Sequence, residues 1–176
     1  MADAVARTLW QELARPAPAV GAYPRWVRVE MVREARAGAY RAWTLREPDD
    51  AALILEPLLR REAREVFLAA YLDTKHRINA IHRVGLGAID HVPVEPREVF
   101  TAALLANARA VVVAHNHPSG DPEPSRDDCA VTRRLVLAGN LLGVAVLDHL
   151  VIGEGCWTSL RNAQPDLFEP EAPRLV

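Results

Sequence analysis

Ala110-Val-Val-Val-Ala-His115-Asn-His117-Pro-Ser-Gly-Asp-Pro-Glu-Pro-Ser125-Arg-Asp-Asp128 is the stretch from which the fold can be read. Ala110 to Ala114 is a short, uninterrupted apolar run, which predicts a central strand buried on both faces. Pro118, Gly120, Pro122 and Pro124 stop the strand and stiffen a loop. Ser125 has the chemistry of an N-cap for a helix from about Ser125 to Leu142. A further strand from Val144 to Ile152 follows. Strand, loop, helix and strand in alternation predict a layered α/β domain.

Working outward, Glu65 to Asp73 and Arg77 to Val84 flank Thr74-Lys75-His76 and predict two strands joined by a tight turn. Pro96 suits the first turn of a helix running to about Asn107, with Val99, Phe100, Leu104 and Leu105 facing a core. Asp49 or Asp50 would cap an earlier helix through about Arg61, whose apolar stripe would be Leu53, Ile54, Leu58 and Leu59. Val27 to Val32 alternates like a half-buried strand, with Tyr40 to Leu45 as its partner, and Cys156 to Leu160 reads as a last strand. Residues 1–24 are expected to form an N-terminal arm and 25–160 the domain. Residues 161–176, with three prolines and no helical periodicity, are expected to be a mobile tail.

The chain of 176 residues is long enough for one core and short for two. Its 21 basic and 23 acidic residues leave a net charge of −2, which argues against nucleic-acid binding through a general basic field. Cys129 and Cys156 form no C-x-x-C pair, and two thiols cannot staple a domain of this size, so a reducing compartment is expected. No apolar run reaches the length of a membrane span and the first residues lack a signal-peptide pattern. A cytoplasmic protein with no membrane association is the expectation.

An extended chain sends residues i and i+2 to one face, so His115 and His117 can offer two imidazoles to one point. The stiff loop turns back and places Asp128 at the N3 position behind Ser125, returning an anionic ligand towards the histidines. Two histidines and one carboxylate would leave a fourth tetrahedral position open for water, the arrangement of catalytic zinc. Taken singly, S-x-x-D is a helix cap and H-x-H a chance pair at a strand end. Joined by a rigid loop of fitting length, they point to a metal centre.

The pattern H-x-H-x7-S-x-x-D, with HNHPSGDPEPS, EVFLAAYLD, VPVEPREVF and LDHLVIGEG, resembles the RadC branch of the JAMM (JAB/MPN) zinc metallohydrolases over about Val27 to Leu160. The resemblance implies an α/β fold: a single JAB/MPN-type, cytidine-deaminase-like domain with a mixed β-sheet flanked by helices. It implies one Zn2+ per chain held by His115, His117 and Asp128, with Ser125 helping to stabilise an oxyanion. It also implies a glutamate upstream on a strand that takes the proton of the zinc-activated water and passes it to a leaving amine. Glu65 is the choice for that base, with Glu62, Glu95 and Glu98 as competitors. His149 is either a partner that orients a ligand or a satisfied core histidine. Cys129 reads as packing, and Asn116 should point away from the ligands and hydrogen-bond the loop.

Gln164-Pro165-Asp166-Leu167-Phe168 resembles the peptide by which bacterial replication and repair proteins dock onto the sliding clamp, although Pro165 departs from the usual aliphatic residue. Its Leu-Phe pair either marks recognition or folds back onto the domain. Longer RadC-like proteins carry an N-terminal helix-hairpin-helix that binds DNA; residues 1–60 hold only Gly21 and Gly38 and show no such glycine pair. The DNA-repair association of the family is thus inherited, and contact with DNA would come through a partner or a local arginine face. Three functions follow: a zinc metallopeptidase or isopeptidase acting on a protein or peptide, a metal-dependent nuclease, and a silent adaptor recruited to the clamp. Glu65, His115, His117, Ser125 and Asp128 together favour the first.

Overall fold

Seven consecutive buried residues, Ala110–Asn116, form the strand on which the fold is built (β3). The computed structural model describes residues 43–86 and 94–169. Before β3 come α1 (Pro48–Leu59), β1 (Val66–Leu72), β2 (Ile78–Leu86) and α2 (Pro96–Leu105). After it come α3 (Arg126–Leu142), β4 (Ala145–Ile152), β5 (Trp157–Ser159), α4 (Leu160–Ala163) and a 3-10 turn at Pro165–Phe168. The five strands form one mixed sheet in the order β2-β1-β3-β4-β5. Only β3 and β4 are parallel, and α3 provides the long crossover that parallel pairing demands.

The alternation of a strand's side chains divides the core into two layers. Val66, Leu68, Ala70 and Leu72 of β1 and Ala110, Val112 and Ala114 of β3 pack with Ala51, Ile54, Leu55 and Leu59 of α1. Phe67, Ala69, Tyr71, Val111 and Val113 face the other way, onto Val99 and Phe100 of α2 and Leu135 and Val136 of α3. Gly139 lets α3 lie close to the sheet, since a Cβ there would come within 2.4 Å of the Val144 carbonyl oxygen. Gly143, at φ 72°, caps α3 in the left-handed region.

A bulge breaks the regular phase of β4. Val111 pairs with Val146 but Val112 pairs with Asp148, leaving Leu147 as an extra residue. Val146 and Val151, an odd number of positions apart, consequently share the α2–α3 layer. His149 is brought onto the same side, opposite Val113 and next to His115.

Several expectations need correction. Leu53 and Leu104 are exposed, while Leu55 and Ala103 take the buried positions, because the neighbouring layer selects a narrower stripe than the apolar pattern offers. Helix α1 starts earlier, with Glu47 as N-cap, whose backbone N–H donates to Asp50 Oδ2 at 3.3 Å. Within the expected mobile tail, residues 161–168 are folded: Leu167 and Phe168 enter the core against α3. Asp148 anchors that return, accepting the Ser159 hydroxyl at 2.7 Å and the Arg161 N–H at 3.1 Å. Arg161 bonds the Leu147 and Val146 carbonyls and lies over the Phe168 ring at 4.3 Å. Burial of such a leucine and phenylalanine contributes about 1.5–3 kcal/mol each, which a segment without periodicity does not advertise. The N-terminal arm at 1–24, the strand at Val27 to Val32, most of its partner and residues 170–176 lie outside the described residues.

Candidate metal centre

β3 ends where the stiff loop begins, and its last residues carry the chemistry. His115 and His117 point to one side, and α3 starts just beyond the loop with Ser125 as N-cap. One donor atom from each of His115, His117 and Asp128 lies within 4.8 Å of the others, and this is the only such group among the described residues. His115 Nε2 is 3.0 Å from His117 Nε2 and 3.1 Å from Asp128 Oδ1, and His117 Nε2 is 3.4 Å from Asp128 Oδ2. Ligands about 2.1 Å from a tetrahedral zinc ion sit ~3.4 Å apart, so the spacing fits with only slight expansion.

Hydrogen-bond direction sharpens the fit. Thr132 Oγ1 donates its one proton to the Asp128 carbonyl at 2.6 Å, because a carbonyl can only accept. It must then accept from His149 Nδ1, 2.6 Å away. His149 is fully buried, and burial pushes its pKa well below the usual value, so the ring is neutral and Nε2 accepts from His115 Nδ1 at 2.8 Å. In its neutral form His115 then has its lone pair at Nε2. His117 Nδ1 donates to the Asp121 carbonyl at 2.8 Å, which leaves Nε2 bare on neutral His117 as well. Two lone pairs and a carboxylate facing one point call for a cation, which is the chemistry of a metal-binding donor set.

The carboxylate of Asp128 does two jobs. Its Oδ2 accepts the Ser125 backbone N–H and hydroxyl, both at 2.7 Å, while the Ser125 hydroxyl oxygen accepts the Asp128 N–H at 3.1 Å. The capping box and the candidate ligand are thus one group. Burial raises the Asp128 pKa, but hydrogen bonds from His115, His117 and Ser125 overcome it and hold the carboxyl well below its normal range. The hydrogen bond with Asp128 raises His117 in turn, against the effect of burial. The Ser125 hydroxyl proton is directed at Asp128, so donation to an oxyanion requires it to rotate away.

Phe67 pairs with His115 on the last rung of the antiparallel β1–β3 ladder, and Glu65, two residues before it, lies close enough for its charge to act on His117. It is half-buried, and its charge contributes to raising the His117 pKa. Glu62 turns aside to Arg83 at 2.7 Å and Glu95 to Arg134 at 3.2 Å. Glu98 acts on His82, which lies on the edge strand β2 with β1 between it and the histidine-bearing β3.

The loop is locked by close approach. Gly120 sits at φ 83° and its carbonyl accepts the Glu154 N–H at 2.9 Å, while a Cβ on Gly153 would lie 2.4 Å from that same oxygen. Cys129, beside Asp128, points instead to Gln164 Oε1 at 3.3 Å. Thr132 was not distinguishable in sequence; its one signal is the four-residue spacing from Asp128, which places both on one helix face.

Fold and cluster together define an α/β domain with a candidate metal centre at the mouth of a central parallel strand pair. The family model described as RadC-like JAB domain matches residues 45–165, well over half of the chain, so the chain belongs to that family. It is similar to the UPF0758 protein of Methanosarcina acetivorans, 45% identical over 115 residues that make up 65% of this chain and 50% of the relative. The UPF0758 protein of Alcanivorax borkumensis is 52% identical over 122 residues, 69% of this chain and 54% of the relative. That of Moorella thermoacetica is 44% identical over 134 residues, 76% and 58% of the two chains. The chain spans about half the length of the curated relatives it matches. Among the described residues, no helix is long and apolar enough to cross a membrane.

Proposed function

We propose that this domain is a zinc-dependent hydrolase of amide bonds, peptide or isopeptide, in a protein substrate. The observation that carries the reading is the convergence of His115 Nε2, His117 Nε2 and the Asp128 carboxylate, with Glu65 close enough for its charge to act on His117. Those three side chains would hold the metal, and a zinc ion there supplies Lewis acidity towards a carbonyl and towards water. Glu65 accepts the proton of the attacking water and returns it to the departing nitrogen. Ser125, after rotating from Asp128, donates to the oxygen that gains charge; the Ser125 backbone N–H remains to hold Asp128 in place. His149 and Thr132 keep the His115 tautomer fixed.

The partners of this reading are a protein or peptide substrate at the centre and, through Gln164, Asp166, Leu167 and Phe168, the sliding clamp, engaged by a conformer in which Leu167 and Phe168 have left the core. An association with DNA repair would run through that contact. The test is metal analysis of the purified protein beside His117→Ala, then peptide, isopeptide and DNA cleavage with and without chelator. One zinc per chain, lost in His117→Ala, with chelator-sensitive amide cleavage abolished in Glu65→Gln that still binds zinc, is the expected result. Turnover retained in Glu65→Gln overturns the base; cleavage of DNA alone replaces the hydrolase with a nuclease; no bound zinc overturns the centre.

A further inference from the structure

Asn116 stands between the two histidines and faces the opposite layer, 4% exposed. Its amide is fully used. Oδ1 accepts the Val66 N–H at 2.9 Å, and Nδ2 donates to the Glu62 carbonyl at 3.2 Å and to the Arg64 carbonyl at 3.0 Å. All three bonds end within residues 62–66, the link from α1 to β1 that carries Glu65. That link has little regular backbone bonding of its own: the Glu62 N–H reaches the Leu59 carbonyl at 3.0 Å, and the β1–β3 pairing stops at Phe67 and His115. One residue past the ladder, the Asn116 side chain takes the place of the missing strand bonds and brackets Glu65 on both sides.

We propose that Asn116 is the positioning residue for Glu65, fixing the link that bears the proton acceptor to the strand that bears His115 and His117. This rests on the reading of Glu65 as the base. Alternation makes the arrangement compact: the outer residues of His115-Asn116-His117 turn to the metal side and the middle one turns to the link. A proton acceptor must lie within hydrogen-bond reach of its proton, and a displacement of about 1 Å can lower the rate about 100-fold. Only an amide fits the role. Aspartate offers no donor to the two carbonyls and sets a charge against them, and alanine or serine cannot span the three partners.

The test uses the full chain as wild type, Asn116→Ala, Asn116→Ser and Glu65→Gln, each checked for folding by circular dichroism. Hydrogen exchange at the Val66 amide, zinc affinity by chelator competition, and turnover of a panel of fluorogenic peptide amides are measured. Val66 is expected to be protected in the wild type and to lose that protection in both Asn116 variants, with zinc affinity within about threefold. The kcat is expected to fall about 100-fold with KM within about threefold. A Val66 amide that exchanges freely in the wild type, an unchanged kcat, or a loss of activity in proportion to lost zinc overturns the proposal; the first needs no variant to fold. Turnover retained in Glu65→Gln sinks the base instead, leaving the tether to be judged on exchange. If no amide is cleaved by the wild type, the hydrolase reading fails and exchange at Val66 decides the tether alone.

Discussion

Replacing Thr132 with valine keeps the shape of a fully buried side chain and deletes one hydroxyl. That hydroxyl is the acceptor for His149 Nδ1–H, and no water reaches the fully buried ring to replace it. The Asp128 carbonyl is hurt less, because the helix supplies it with a backbone N–H. Two responses are open to the variant. It can keep the proton on His149 Nδ1 and leave a buried donor unpaired, at about 1–3 kcal/mol. Or it can move every proton one step along the chain, so that His149 donates from Nε2, His115 accepts at Nδ1 and carries its hydrogen on Nε2, the atom needed for a metal. The metal-free protein is free to take the second route, whereas the zinc-loaded protein is held to the first. Thr132→Val should therefore lose more stability with zinc than without, and zinc affinity should fall about 10- to 100-fold. Urea unfolding with and without zinc, beside chelator competition, reads both quantities, and Thr132→Ser should restore them. Stability within about 0.5 kcal/mol of wild type and zinc affinity within about threefold would refute the directed chain.

Zinc must displace the proton that Asp128 favours on His117, so affinity should be flat above the raised His117 pKa and fall about tenfold for each pH unit below it; a flat affinity from pH 8 to pH 6 contradicts this. Gly153→Ala drives a Cβ against the Gly120 oxygen and should displace the loop that follows His117, lowering zinc affinity at least about tenfold. Gly143→Ala, at φ 72° with open space around it, should cost only about 1 kcal/mol of strain and leave zinc binding alone. Phe168→Ala should lower stability by about 3 kcal/mol; a loss under about 1 kcal/mol in denaturant unfolding would mean that the segment is undocked in solution.

Strand β3, its loop and the start of α3 were legible because each depends on neighbours in sequence: an apolar run, prolines, a serine cap. The strands of the β1–β2 hairpin were legible for the same reason. The H-x-H and S-x-x-D spacings announced both a ligand set and a helix cap, and Asp128 is placed to serve as both. What sequence withheld is what depends on pairing across the sheet. Which of Glu65, Glu62, Glu95 and Glu98 has its charge near the histidines depends on how β1 lies against β3 and on the ion pairs that Glu62 and Glu95 make with Arg83 and Arg134. His149 needed the β3–β4 pairing to meet His115. Leu53 and Leu104 look as apolar as their buried neighbours, and only the position of the adjoining layer decides which face is covered. The return of Leu167 and Phe168 uses a single 3-10 turn, too short to show a period.

The bulge at Leu147 makes β4 a strand written in two reading frames. Up to Val146 the even positions belong with α2 and α3; from His149 onward the odd ones do. Straightening the strand with Leu147 retained would pair it with Val112 and put everything after it out of phase, turning His149 towards α1 and Leu150 and Ile152 towards the histidines, whereas deleting Leu147 would leave each later side chain on its present face in a regular ladder. A local irregularity thereby acts as the key signature for the whole second half of the strand, and any grafting or redesign of this centre onto another sheet would have to keep Leu147 and its bulge together or drop both.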